Sequence, residues 1–162
     1  MSDYTPQSSQ ASTVPDARIA IVAARFNDFV VNGLIAGARR VLARHGIADD
    51  AIEECHVPGA FEIPLAAQKL AATGRFDGIV ALGAVIRGGT AHFEFVAGEC
   101  TRGLGRVMLD SGLPIGFGVL TCDTEAQALE RSNSMSGNKG EEAALAVLEM
   151  VAALRHLDER AR

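Results

Sequence analysis

Nine consecutive residues at 78–86, GIVALGAVI, carry no charged or polar side chain. A run that short and that apolar fits a strand buried on both faces, as in a parallel sheet with helices on either side. Directly after it come Arg87, Gly88, Gly89 and Thr90, then a segment that reads as a helix beginning near Ala91 and His92. A buried strand that turns through glycines into a helix start is a ready anion site. Glycine lets the backbone approach closely, and the unpaired N–H groups and dipole of the helix favour negative charge. An arginine, a hydroxyl and an imidazole crowd into that turn, which makes it a candidate for chemistry as well as folding.

The chain of 162 residues is most simply one domain, long enough to bury a single core. Residues 1–16 (MSDYTPQSSQASTVPD) are rich in Ser, Thr, Gln and Pro without periodicity. They read as a flexible tail, which leaves 17–162 as the folded domain. No apolar run reaches membrane-spanning length, and the polar first residues lack a signal-peptide pattern, so the expected location is the cytoplasm, with no membrane partner. A net charge of −5, with no basic stripe and no tryptophan, argues against nucleic acid as a partner. Cys55, Cys100 and Cys122 are widely spaced and form no CxxC pair. Reduced thiols are expected, and neither a disulfide framework nor a zinc site.

The rest of the chain alternates. Residues 18–24 (RIAIVAA) read as a strand, with Arg25, Phe26, Asn27 and Asp28 as the turn out of it. Val30, Leu34, Ala38 and Val41 then recur at helical spacing, with Asn27 or Asp28 as cap and Gly46 as stop. Residues 51–57 (AIEECHV) form a weaker second strand, ended by Pro58 and Gly59. Glu62 falls in the first turn of the next helix, where Pro64 is tolerated because early helical N–H groups have no intrahelical partner. Thr73 and Gly74 end that helix. The helix after the central strand runs to about Leu109 and stops at Ser111 and Gly112. Residues 114–121 (PIGFGVLT) give a fourth strand, and Asp123 or Thr124 caps a helix through Arg131. After a loop at 132–138, residues 140–157 make a long amphipathic helix. Four strand–helix repeats and one further helix predict the α/β class. The expected architecture is a flavodoxin-like three-layer αβα sandwich around a four-stranded, mainly parallel sheet. Ligands in such sheets bind beyond the carboxyl ends of the strands. Phe26, Glu62, Arg87 and His92 all follow strands, so one ligand could touch them all.

Each of these residues has a plainer role to set against a functional one. His92 at a helix start is either incidental or a proton acceptor, since the positive end of the dipole favours the neutral imidazole. The glycines and Thr90 beside it favour function. His45, His56 and His156 lack such company, and no ligand spacing supports a metal site. Glu62 either complements its helix dipole or accepts hydrogen bonds from a polyhydroxylated ligand. Phe26 either packs in the core or stacks on a flat heterocycle. Phe117 fits the core on its pattern alone. Arg131 and Lys139, near a helix C-terminus and in the next loop, fit a favourable interaction with that end.

Six stretches in order are ARFN (24–27), VPGAFEIP (57–64), ALGAVIRGGTAHFEFV (81–96), GVLT with Asp123 (118–123), ALER (128–131) and GNKG (137–140). Together they resemble the 6,7-dimethyl-8-ribityllumazine synthases of riboflavin biosynthesis, over essentially everything from Arg18 onward. The resemblance implies condensation of 5-amino-6-(D-ribitylamino)uracil with 3,4-dihydroxy-2-butanone 4-phosphate, releasing phosphate and water, with no metal or redox cofactor. It implies active sites between subunits of a homopentamer, which in some members assembles further into an icosahedral shell. It also implies roles. Phe26 stacks on the pyrimidine; Ala60, Phe61 and Glu62 line the ribityl pocket; Ala84, Val85 and Ile86 meet the pyrimidine edge. Gly89 and Thr90 hold the phosphate with Arg131, Lys139 lies near it, and His92 transfers the proton. Phe117 and Arg131 come from the adjacent subunit.

Two departures from the family pattern stand out. Pro6, Pro15 and few β-formers leave the N-terminal strand that many members add to a neighbour short or absent. NSMSGN at 133–138 replaces the threonine, lysine and alanine often found before GNKG, although Arg131 and Lys139 align without a gap. Two other readings stay open on the sequence. One is a non-catalytic flavin- or lumazine-binding paralogue, which the pairing of His92 with Arg131 disfavours. The other is a flavodoxin-like flavin or nucleotide binder, disfavoured by the absence of GxxxxGK[ST] and GxGxxG stretches.

Overall fold

The structure, a computed structural model, describes residues 13–133 and 137–162. Strands β1 (Ile19–Ala24), β2 (Ile52–Val57), β3 (Gly78–Ile86) and β4 (Ile115–Cys122) alternate with helices α1 (Asp28–Arg44), α2 (Ile63–Ala72) and α3 (His92–Ser111). Helices α4 (Glu125–Asn133) and α5 (Lys139–Arg160) follow. The sheet order is β2-β1-β3-β4, and every pairing is parallel. Of the tail expected at 1–16, residues 1–12 lie outside the described ones, as do 134–136 of the loop at 132–138. Val14 is buried in the core and Asp16 pairs with Arg155 at 2.9 Å.

Side-chain alternation builds the three layers. Ile19, Ile21 and Ala23 join Val80, Leu82 and Ala84 against α1, α4 and α5. Their neighbours Ala20, Val22 and Ala24 join Ile79, Ala81 and Val85 against α2 and α3. β3 is buried on both faces over all but its last residue, as its unbroken apolar run requires. The expected three-layer αβα sandwich is the observed one.

Local signals end the elements where the sequence places them, with two refinements. Gly46 at φ 84° closes α1, where Ile47 N–H donates to Leu42 and Gly46 N–H to Ala43. Buried Ile47 and Leu42 complete that Schellman end. Thr124 rather than Asp123 supplies the hydroxyl that accepts from Gln127 N–H at the start of α4. Asn27 stands at the cap position of α1, but its side chain makes no cap hydrogen bond and reaches elsewhere.

Asn138, 2% exposed, fastens the start of α5. Its Oδ1 accepts from Gly140 N–H at 2.8 Å and Glu141 N–H at 3.2 Å. Its Nδ2 donates to Gly33 O at 3.1 Å and to Ser132 O. Asn138→Ala removes a cap worth about 1 kcal/mol and strands two carbonyls at about 1 kcal/mol each. The expected loss in urea unfolding is about 3 kcal/mol. Asn138→Asp should fare no better, because it keeps the cap while facing two carbonyls with a carboxylate.

Cys100, on the buried face of α3, has its thiol pushed up to about 11 by burial. Its folded value thus lies above the ordinary 9.0. The resulting stability is fully present below pH 9 and is lost as pH rises towards 11. Cys100→Ala should flatten the fall in stability over that window, by about 2 kcal/mol.

Candidate active site

The carboxyl ends of β1, β2 and β3 frame a cavity of about 680 Å³. It opens where the connections from β1 and β3 diverge across the sheet, the usual place for a ligand in such a fold. Ala84, Val85 and Ile86 at the end of β3 give it an apolar base. Three turns make the walls.

The β1–α1 turn carries Phe26, which is 72% exposed. Arg25 N–H donates to Val57 O at 2.8 Å and Phe26 N–H to Pro58 O at 2.9 Å, extending the β1–β2 pairing past the strand ends. Asn27 adopts the left-handed region at φ 60°, and its Nδ2 donates to Ala84 O at 2.9 Å. This one side chain fixes the aromatic turn to the cavity base. Asn27→Ala should cost about 2 kcal/mol, half from the bond and half from a left-handed alanine. Asn27→Gly should recover the backbone half, so urea unfolding of the pair separates the two contributions.

The β2–α2 turn contributes Ala60–Glu62 as a single 3-10 turn. Ala60 is buried, Phe61 is exposed, and the Glu62 carboxylate lies back over Gly59. A Cβ on Gly59 would come 3.2 Å from Glu62 Oε2, so the glycine leaves the carboxylate its room. The β3–α3 turn supplies Gly88, Thr90 and His92, and the first turns of α3 add Phe93, Phe95 and Val96. His92 is the first residue of α3, and its N–H faces Thr90 Oγ1 at 3.4 Å. Exposed aromatic walls, a carboxylate, and a hydroxyl and imidazole at a helix start suit a planar ring with a polyol arm and a nearby anion.

Phe26, Ala60, Phe61, Glu62, Ala84, Val85, Ile86, Thr90 and His92 therefore converge on one cavity. Gly89 lies between two of its lining residues. Phe117, Arg131 and Lys139 lie outside its lining. Phe117 does not pack in the core as its pattern suggests. Its parity matches Val119, facing the α2–α3 layer, but β4 is the sheet edge and the ring stays 48% exposed. Arg131 donates to Gln127 O at 3.1 Å in the last turn of α4, and Lys139 Nζ pairs with Glu142 at 2.9 Å.

Arg87 departs from its expected place beside a ligand. It bonds Asp123 and Glu94, and these carboxylates raise its pKa while Arg87 holds Glu94 below the usual carboxylate range. Asn27, Phe93, Phe95 and Val96 are lining residues that sequence reasoning missed. Phe95 had a signal, because it stands one helical turn after His92.

Among the described residues no group of three or more His, Cys, Asp or Glu side chains could hold a metal ion, and no helix is long and apolar enough to cross a membrane. The model of the 6,7-dimethyl-8-ribityllumazine synthase family matches residues 16–155, which is most of the chain. With its parallel sheet and the cavity at the strand ends, the chain belongs to that family, the transferases that serve riboflavin biosynthesis.

Proposed function

We propose that this enzyme condenses 5-amino-6-(D-ribitylamino)uracil with 3,4-dihydroxy-2-butanone 4-phosphate to 6,7-dimethyl-8-ribityllumazine, releasing phosphate and water. The observation that carries the reading is the convergence of Phe26, Glu62, Thr90 and His92 on one cavity with an apolar base. Phe26 stacks on the pyrimidine, and Ala84, Val85 and Ile86 meet its edge. Ala60, Phe61 and Glu62 take the ribityl chain, the carboxylate accepting from its hydroxyls. Gly89 and Thr90 hold the phosphate of the four-carbon substrate at the start of α3.

The amine attacks the ketone, and water leaves to give an imine. Loss of phosphate then needs a proton removed from carbon, which His92 relays. Thr90, backbone N–H groups and Arg131 stabilise the leaving phosphate, with Lys139 nearby. Ring closure and dehydration follow. Holding two substrates in register supplies much of the acceleration.

Phe117 and Arg131 act on a neighbouring subunit's cavity in this reading. Their exposure, and their position outside the cavity of their own chain, support that assignment. Exposed Leu65, Phe95 and Leu109 add apolar surface for the homopentamer that the shared site requires. The enzyme works in the cytoplasm and uses no metal or redox cofactor. A steady-state assay following lumazine absorbance and phosphate together is the test. Equal rates of both products support the synthase. Binding of the ribityl pyrimidine without either product would leave a non-catalytic binding protein.

A further inference from the structure

Within one subunit, the turn between β3 and α3 has little packing to hold it. A methyl added at Gly88 or Gly89 would meet no atom within 4 Å. The bonds of Thr90 Oγ1 with His92 N–H and of Ala91 O with Glu94 N–H are local, and neither ties the turn to the sheet. One side chain spans it. Arg87 leaves the end of β3, where its own N–H donates to Cys122 O at 2.9 Å. Its Nε donates to Asp123 at 2.9 Å, and a terminal nitrogen donates to the Glu94 carboxylate. Its guanidinium carbon stands 4.2 Å from the centre of the Phe93 ring.

Exposed ion pairs of this kind add little to stability. A planar fork engaged by two carboxylates and stacked on a ring instead fixes orientation. Phe93 and Val96 seat the start of α3 on the core, and the fork adds a tie from that turn to the start of the β4–α4 connection, with His92 and Thr90 between the clamped ends. With two carboxylates on its fork, Arg87 is also poorly placed to serve as an anion ligand.

We propose that Arg87 is a positioning residue of the synthase reaction: it clamps Phe93 and Glu94 to Asp123 and thereby sets where His92 and Thr90 stand. This rests on the function proposed above. Lysine keeps the charge but loses the fork and the stack, so Arg87→Lys should be intermediate.

The test compares Arg87→Ala and Arg87→Lys with the unsubstituted full-length protein by amide hydrogen exchange and by steady-state kinetics with both substrates. For Arg87→Ala, peptides spanning 88–95 should exchange about tenfold faster while those of α5 are unchanged. Its kcat should fall about tenfold, as misplacement of a catalytic group implies, with KM for the pyrimidine within about twofold. Adding Glu94→Gln to Arg87→Ala should change kcat by less than about twofold, because the clamp is already open. Unchanged exchange and kcat would leave a surface ion pair and overturn the proposal. A raised KM for the butanone phosphate at unchanged kcat would also overturn it, by making Arg87 a phosphate ligand. If the unsubstituted protein forms no product, the synthase reading fails separately; faster exchange then upholds the clamp and unchanged exchange refutes it.

Discussion

Gly140→Ala should destabilise the fold by about 3 kcal/mol or more, the upper end of what overpacking costs and a large share of a domain's stability. Gly140 stands in the first turn of α5, where α5 crosses α1. A Cβ there would lie 2.0 Å from Leu34 O, 2.7 Å from Leu34 C and 2.8 Å from its Cα. These are backbone atoms, so no rotamer change relieves the clash, and the helices must part by about an ångström. Parting them opens the layer that buries Leu34, Ala144 and Leu148. Gly78→Ala offers the contrast. Its Cβ would meet Val147 Cγ1 at 2.4 Å, the end of a side chain. Val147→Ala should therefore rescue Gly78→Ala, whereas Leu34→Ala should not rescue Gly140→Ala. Urea unfolding of the four variants checks this; rescue at both sites, or at neither, would contradict the distinction between backbone and side-chain clashes.

His92→Ala should slow turnover by about tenfold to a hundredfold, at or below the low end of general acid–base contributions. The effect stays that small because proximity carries much of the proposed reaction. Affinity for the ribityl pyrimidine should stay within about twofold, since the proposed function gives that substrate to Phe26 and Glu62, which line other walls of the cavity. The imidazole is exposed and heads α3 without belonging to the packed core, so stability should hardly move. Added imidazole should restore part of the rate. Kinetics by lumazine absorbance and calorimetric binding of the pyrimidine separate the two parameters, and an unaffected kcat would remove His92 from the mechanism.

Much of this protein was legible in its sequence because the deciding interactions are local or periodic. The nine apolar residues at 78–86 have one stable home, the centre of a parallel sheet. Gly46 and Gly112 end helices through backbone conformations that glycine adopts cheaply, at φ 84° and 68°. The cavity residues Phe26, Ala60–Glu62, Ala84, Val85, Ile86, Thr90 and His92 sit just past strand ends or in them, where topology alone brings them together.

What only the tertiary structure decided depends on partners distant in sequence or on a missing neighbour. Arg87 reads as one of the residues a single ligand could touch until Asp123, 36 residues on, claims its Nε. Asn27 reads as a helix cap until Ala84, 57 residues on, supplies an acceptor. Phe117 has the periodicity of a core residue, but β4 is an edge strand and the ring stays half exposed. Periodicity reports the direction of a side chain relative to its own strand or helix; it carries no record of what stands opposite, and that is settled only when the layers pack.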